Sequence, residues 1–302
     1  MVSSCCHIKI LFIANICDLN YLYRSRDFRP SYGHLHEIRA VIPKGTPLLA
    51  CSATVTHSIR QEVIKSLEMV DCDFISTSPD RPNIFYEIHP RTDLDSDMKH
   101  LLKSLQDLKN SAPRVIVYCR TLDMCANLYA HFHYELEEES YFPPGSDQVS
   151  DYRLFGMYHA NTPEHNKDVI MKSLSKPDGV VRVVFATVAL GMGVNMRDVN
   201  TIIHYGAPQS IEDYYQESGR GGRSGQSATS IVYWRPSDCP LRKNLLTIRD
   251  HEVAAVRHYL QNSTSCRRKW LLEYFDSSFT SIVDPITCCD VCVGKIGSQL
   301  NL

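Results

Sequence analysis

The sequence predicts an α/β fold: a parallel sheet covered by helices on both faces, followed by a small helical segment rich in positive charge and cysteine. Three observations predict it. Between residues 84 and 234, short apolar runs alternate with stretches of helical period. One such run, RVIVYC at 114–119, is apolar almost throughout, as strands buried on both faces are. After residue 236 the pattern turns helical, with Arg242, Lys243, Arg249, Arg257, Arg267, Arg268 and Lys269, and then Cys288, Cys289 and Cys292.

The elements follow in order. Residues 1–26 show no helical or alternating period and stay unassigned. Residues 34–42 have helical spacing and stop before Pro43. Residues 46–50 form a short buried strand, and 58–67 a helix with Ile59, Val63, Ile64 and Leu67 on one face. Residues 76–82 look like a linker. Then come a strand at 84–88 and a helix at 97–108 with Met98, Leu101, Leu102, Leu105 and Leu108 inward. The strand at 114–119 is followed by a helix at 121–136, capped by Thr121. An acidic loop covers 137–150. A strand at 154–159 leads to a helix at 162–174, with Thr162 as cap and Pro163 at its first position. Strands at 180–186 and 201–205, a helix at 211–218 and a strand at 227–234 complete the α/β part. In such sheets ligands bind beyond the carboxyl ends of the strands, here after Cys119, His159, Ala186 and Tyr205.

Composition narrows the classes. The chain has 302 residues, 32 Lys plus Arg, 34 Asp plus Glu and a formal net charge of -2. That excludes a globally basic protein, so any nucleic-acid contact must come from a local patch. The longest apolar stretch, 10–16, is too short to span a membrane, and its flanks do not read as a signal peptide. Cysteines inside apolar runs, such as Cys51 and Cys119, suit buried thiols in a reducing cytosol or nucleus.

Four segments carry chemistry. The first, QESGRGGRSG at 216–225, puts four glycines and two arginines within ten residues. Glycines let backbone approach a ligand, and guanidinium forks suit phosphate oxygens. In isolation a flexible basic loop would look the same. The second is ATVALGMGVN at 186–195, a strand end running into a glycine turn. The third, YCRT at 118–121, places Arg120 at a helix start. The fourth and weakest is Ser52-Ala53-Thr54.

Taken in order, these segments resemble the later motifs of superfamily-two helicases, and specifically the RecQ DNA helicases. DFRPSY (27–32), SAT (52–54), DRPNI (80–84), VIVYCRT (115–121), YHA (158–160), ATVALGMGVN (186–195), HYGAPQSIEDYYQESGRGGRSG (204–225) and CRRKWLLEYF (266–275) carry the resemblance. It covers about residues 27–293. It implies a RecA-like parallel sheet, the helicase C-terminal domain, at 79–235. It also implies a remnant of a first RecA-like domain at 27–78, a helical zinc-binding subdomain at 236–297 and a tail at 298–302. An RNA helicase is the weaker match, because CRRKWLLEYF and the cysteines after it resemble RecQ.

The resemblance also implies roles. Arg220 and Arg223 face the phosphates of ATP with its Mg²⁺, Arg223 as the arginine finger, supported by Gln216, Gly219, Gly222 and Asn195. Phe28, Arg29, Arg120, Thr187, Gly191, Met192 and Gly193 meet single-stranded DNA. Ser52 and Thr54 couple nucleotide state to domain movement. Cys266, Cys289 and Cys292 match zinc ligands, but Ile286 stands where the second is expected. Either Cys288 serves, or a histidine such as His258 or a water completes the set.

Two family features are missing. No G-x-x-x-x-G-K-[ST] loop occurs in these 302 residues, and no Asp-Glu-x-His box. The expectation is an incomplete core of a 3′–5′ DNA helicase, from a truncated product or incomplete gene reading, that does not hydrolyse ATP alone. The alternative is a DNA-binding isoform that competes with or regulates a full-length helicase. The expected partners are single-stranded and forked DNA, a full-length helicase or repair proteins, and no membrane. The expected location is the nucleus.

Overall fold

The computed structural model describes residues 13–15, 37–43, 46, 48–51, 56–75, 78–187, 190, 196, 198–239, 248–275 and 283–300. The chain divides into two compact units, residues 1–80 with 272–280, and 81–271 with 281–302.

The first unit holds strands β1 (Ile13–Asn15) and β2 (Leu49–Cys51) and helices α1 (Ile38–Val41) and α2 (His57–Ser66). β1 and β2 pair in parallel, with Ile13 opposite Leu49. A strand therefore lies inside 1–26, where the sequence shows no period, because three residues are too few to register one. Val63 and Leu67 are buried, as the helical spacing predicts.

The second unit is built on six parallel strands: β3 (Ile84–Pro90), β4 (Arg114–Cys119), β5 (Phe155–Tyr158), β6 (Val183–Ala186), β7 (Val199–Tyr205) and β8 (Ala228–Trp234). Their order across the sheet is β3-β8-β7-β4-β6-β5. The helices are α3 (Leu94–Leu108), α4 (Leu122–Leu136), α5 (Glu164–Ser175) and α6 (Ile211–Ser218). Four more come last: α7 (Ile248–Gln261), α8 (Arg267–Phe275), α9 (Pro285–Cys288) and α10 (Asp290–Leu300). Among the described residues no helix is long and apolar enough to cross a membrane.

β4 shows why the sheet needs cover on both sides. All six of its residues are buried. Val115, Val117 and Cys119 join one core with Met98 and Leu105 of α3 and Leu128 and Phe132 of α4. Ile116 and Tyr118 join a second with Ile170 and Leu174 of α5. The period of two sends alternate side chains to opposite layers. Arg114 opens this apolar strand and is itself buried; its guanidinium donates to the carbonyls of Ser173 and Leu174 at the end of α5.

Three local readings need correction. Leu108 is 48% exposed, because α3 ends there and Lys109 turns away with φ 49°. Asp97 is not at the start of that helix; Asp93 caps it through Ser96, and Asp97 is buried, accepting from Thr92 and from the Tyr205 hydroxyl. Thr162 does not cap α5. Pro163 is the cap residue, and the Thr162 hydroxyl instead donates to the Met157 carbonyl and accepts from His159 N–H, fixing the turn before the helix. Thr121, by contrast, caps α4 as expected, accepting from Met124 N–H.

Candidate functional site

The glycine-rich turn grows out of α6. Ser210 caps that helix by accepting from Asp213 N–H, and Gly219 closes it, its N–H donating to the Tyr215 carbonyl. Glu217, on the last turn, pairs with His204 of β7 at 2.9 Å, both side chains buried. Burial pushes the Glu217 carboxyl above its ordinary value, although the His204 bond pulls the other way. His204 stacks on Tyr118 of β4, ring centroids 5.4 Å apart, and meets Tyr214 edge-on. The helix is thereby fixed to two central strands.

The turn then reaches the N-terminal end of the sheet. Gly222 N–H donates to the carbonyl of Val199, the first residue of β7. Arg220 is buried and Arg223 is exposed, so one arginine of the pair is packed and the other is presented. Desolvation first, and then repulsion from Arg220 and Arg81, lowers the pKa of Arg223. Burial raises the Tyr118 hydroxyl, while the nearby Arg220 and Arg223 charges oppose that shift. The turn is thus a cluster of positive charge next to buried polar groups, an arrangement suited to a polyanion.

Two residues outside the quoted arginine motif hold this turn. Arg81 donates to the carbonyls of Gly219, Gly221 and Gly222, at 2.9, 3.2 and 3.1 Å. Asn83 donates to the carbonyls of Gly222 and Gln226 at 2.8 and 2.6 Å. Arg81 falls within residues 76–82, which read as a linker. Arg81 and Asn83 also belong to DRPNI (80–84), a segment of the family resemblance, but that likeness gives them no role, and their partners lie about 140 residues further on.

The other predicted residues fall as follows. Arg120 donates to the Asp238 carbonyl, beside an ion pair of Arg91 with the Asp238 carboxylate at 2.8 Å. Thr187 N–H donates to the Tyr158 carbonyl, which holds the exit of β6. Gln216 lies half-buried on α6. Phe28, Arg29, Ser52, Thr54, Gly191, Met192, Gly193 and Asn195 lie outside the described residues. A small cleft at the carboxyl ends of β4 and β7 is lined by Tyr118, Arg120, His204, Gly206, Asp213 and Glu217.

The cysteines form the second site. The thiols of Cys266, Cys288, Cys289 and Cys292 lie within 4.8 Å of one another. The Cys266–Cys288 sulfur separation is 3.4 Å and the Cys266–Cys289 separation 4.0 Å. Tetrahedral zinc, with Zn–S bonds of about 2.3 Å, separates its sulfurs by about 3.8 Å, so four thiols so placed fit that ion. Hydrogen bonds among the thiols push Cys289 down and Cys288 up, and burial pushes Cys292 up. Cys288 and Cys289 both belong to the set, because α9 ends at Cys288 and Cys289 turns into extended backbone. Ile286, at the position where the family pattern expects a ligand, is 63% exposed, and His258 packs on Trp270, 5.7 Å between rings. These four residues would hold a structural zinc, joining α8 to α9 and α10.

Comparison with known proteins agrees with this layout. Residues 96–225 match the model of the helicase conserved C-terminal domain, and residues 242–293 match that of RecQ zinc-binding. The ATP-dependent DNA helicase hus2/rqh1 of Schizosaccharomyces pombe is 31% identical over 280 residues, covering 88% of this chain and 19% of that protein. The bifunctional 3′-5′ exonuclease/ATP-dependent helicase WRN of Mus musculus is 31% identical over 293 residues, covering 91% of this chain and 19% of that protein. The chain thus spans about a fifth of the length of these relatives. Among solved structures, Saccharomyces cerevisiae Dbp5 bound to RNA and ADP BeF3 superposes with a TM-score of 0.54 at 18% identity, over 83% of this chain and 57% of that one. That likeness identifies the RecA-like fold of the parallel sheet. With a helicase C-terminal domain in front and a RecQ zinc-binding segment with four converging cysteines behind, the chain belongs to the RecQ helicase family.

Proposed function

We propose that this chain supplies the second RecA-like wall of a RecQ-type ATP-dependent 3′–5′ DNA helicase core, together with its zinc segment. In this reading Arg220 and Arg223 meet the phosphates of ATP with its Mg²⁺, and Arg223 is the arginine finger. Gln216, Gly219, Gly222 and Asn195 support the same side. Arg120, Thr187 and residues 191–193, with Phe28 and Arg29, follow the backbone of a single strand, while Ser52 and Thr54 couple nucleotide state to movement. Zinc, when bound, supplies a cross-link and no chemistry. The whole protein would unwind single-strand-flanked and forked duplexes in DNA repair or recombination in the nucleus.

The observation that carries the reading is the clamped glycine turn, with one arginine packed and the other presented. A second reading has its own support. These 302 residues contain no Walker A loop and no Asp-Glu-x-His box, so the phosphate cradle and the magnesium acid are missing from them. The chain by itself then binds DNA without hydrolysing ATP, and competes with or regulates a full-length helicase.

A DNA-stimulated ATPase assay on the purified chain separates the parts of this proposal. No turnover is expected, together with binding to forked DNA that weakens as salt rises, since phosphate contacts release counterions. Clear ATP turnover would overturn the claim of inactivity. Binding that is absent, or flat with salt, would overturn the DNA-facing surface.

A further inference from the structure

Arg81 occupies an unusual place. Its guanidinium collects three carbonyls of one turn, from Gly219, Gly221 and Gly222. A carbonyl and the next N–H share one rigid peptide plane. Fixing the Gly219 carbonyl therefore fixes the plane that leads into Arg220. Fixing the Gly222 carbonyl does the same for Arg223. One side chain thus orients the backbone entry of both arginines.

The electrostatics sharpen the point. Arg81 lies close enough to Arg223 for its charge to depress that pKa, as does Arg220. A third cation beside two others is unfavourable by itself. The three carbonyl bonds offset that cost, and an incoming polyanion would reverse its sign.

Arg81 is held in turn. Arg268 donates to the Arg81 carbonyl at 2.7 Å and to the Ile84 carbonyl, and its guanidinium lies over the Tyr86 ring at 5.2 Å. Arg268 is 2% exposed. It sits on the first turn of α8, two residues after Cys266. Its neighbour Arg267 pairs with both oxygens of Asp290, the residue after Cys289, and Asp290 accepts from Ile88 N–H of β3. The cysteine segment is therefore bonded to the same edge strand that presents Arg81.

We propose that Arg81 is a positioning residue for Arg220 and Arg223, and that Arg268 makes the cysteine segment its support. This rests on the reading that the two arginines meet a phosphate chain. The relay is made of hydrogen bonds that run from the start of α8, through the backbone of Arg81, to the peptide planes of the turn.

The test uses the full 302-residue chain, with Arg81→Lys, Arg81→Ala, Arg268→Gln, Arg220→Ala and Arg223→Ala. The first readout is the set of backbone amide ¹H–¹⁵N shifts of Arg220 and Arg223 without ligand. Arg81→Lys keeps the charge but loses the fork, so it should move both amides while the melting temperature stays near that of the parent. Arg268→Gln should move the same two amides from a distance. The second readout is calorimetric binding of inorganic tripolyphosphate. Arg81→Lys should weaken it roughly tenfold, as a misplaced group does.

Unmoved Arg220 and Arg223 amides in Arg81→Lys would overturn the positioning role. Full rescue of tripolyphosphate binding by Lys would reduce Arg81 to a charge and overturn it too. Shifts in Arg268→Gln confined to residues 81–86 would overturn the relay. If the parent chain binds no tripolyphosphate, or Arg220→Ala and Arg223→Ala leave binding unchanged, the phosphate reading fails, and the amide shifts still decide the role of Arg81.

Discussion

Gly222 carries two constraints at once. Its φ is +58°, and a Cβ there would lie 2.4 Å from both Asn83 Nδ2 and the Gln226 carbonyl. Gly222→Ala is therefore expected to lower stability by about 1–3 kcal/mol, read as a lower urea midpoint; an unchanged midpoint would show a turn free to relax. Glu217 allows a different prediction. Burial raises its carboxyl above the ordinary 4.5, so the folded chain holds this proton more tightly than the unfolded one. Its contribution to stability is full below 4.5 and is lost as pH rises through the raised folded value. Urea midpoints of Glu217→Gln, taken from pH 4.5 to neutrality, should lack that downward slope relative to the parent. Parallel slopes in the two proteins would refute it. At this scale the sequence was partly legible. Arg220 and Arg223 stand out by residue type and spacing. Arg81 does not, because its partners lie 138 to 141 residues away and no local pattern reports them.

At the scale of elements, the period of the apolar residues did most of the work. β4 and α4 lie where their patterns place them, since a strand buried on both faces and a capped helix leave strong local marks. Two of the failures, at Asp97 and Thr162, share one cause, competition for a single carboxyl or hydroxyl. Thr121 and Thr162 both precede helices, yet only Thr121 caps one. Thr162 is drawn to the Met157 carbonyl at the end of β5, a contact set by the sheet. Thr121→Ala is expected to cost about 1 kcal/mol, and Thr121→Ser to recover most of it, in thermal melts of the whole chain. Equal loss in both variants would assign the effect to the methyl group.

At the scale of the molecule, the strand order was the least legible feature. β3 lies next to β8, with Ile84 opposite Ala228, and nothing in either run names the other. The zinc segment was legible only by likeness; what the fold adds is that the thiols of Cys266, Cys288, Cys289 and Cys292 converge within 4.8 Å. Chelation and dialysis should release about one equivalent of zinc from metal-loaded chain. Helical circular dichroism should fall with it, because α8, α9 and α10 meet at that cluster. Less than a tenth of an equivalent bound would remove zinc from the account.

β3 is an edge strand, and its outer side is not bare: Tyr86 bridges to Cys289, and Ile88 N–H reaches the Asp290 carboxylate. Exposed strand edges template association between chains. The segment that gathers the thiols is thus also a guard against self-association. Chain stripped of metal should scatter light in a concentration-dependent way before its sheet is lost, as molecules pair edge to edge along β3.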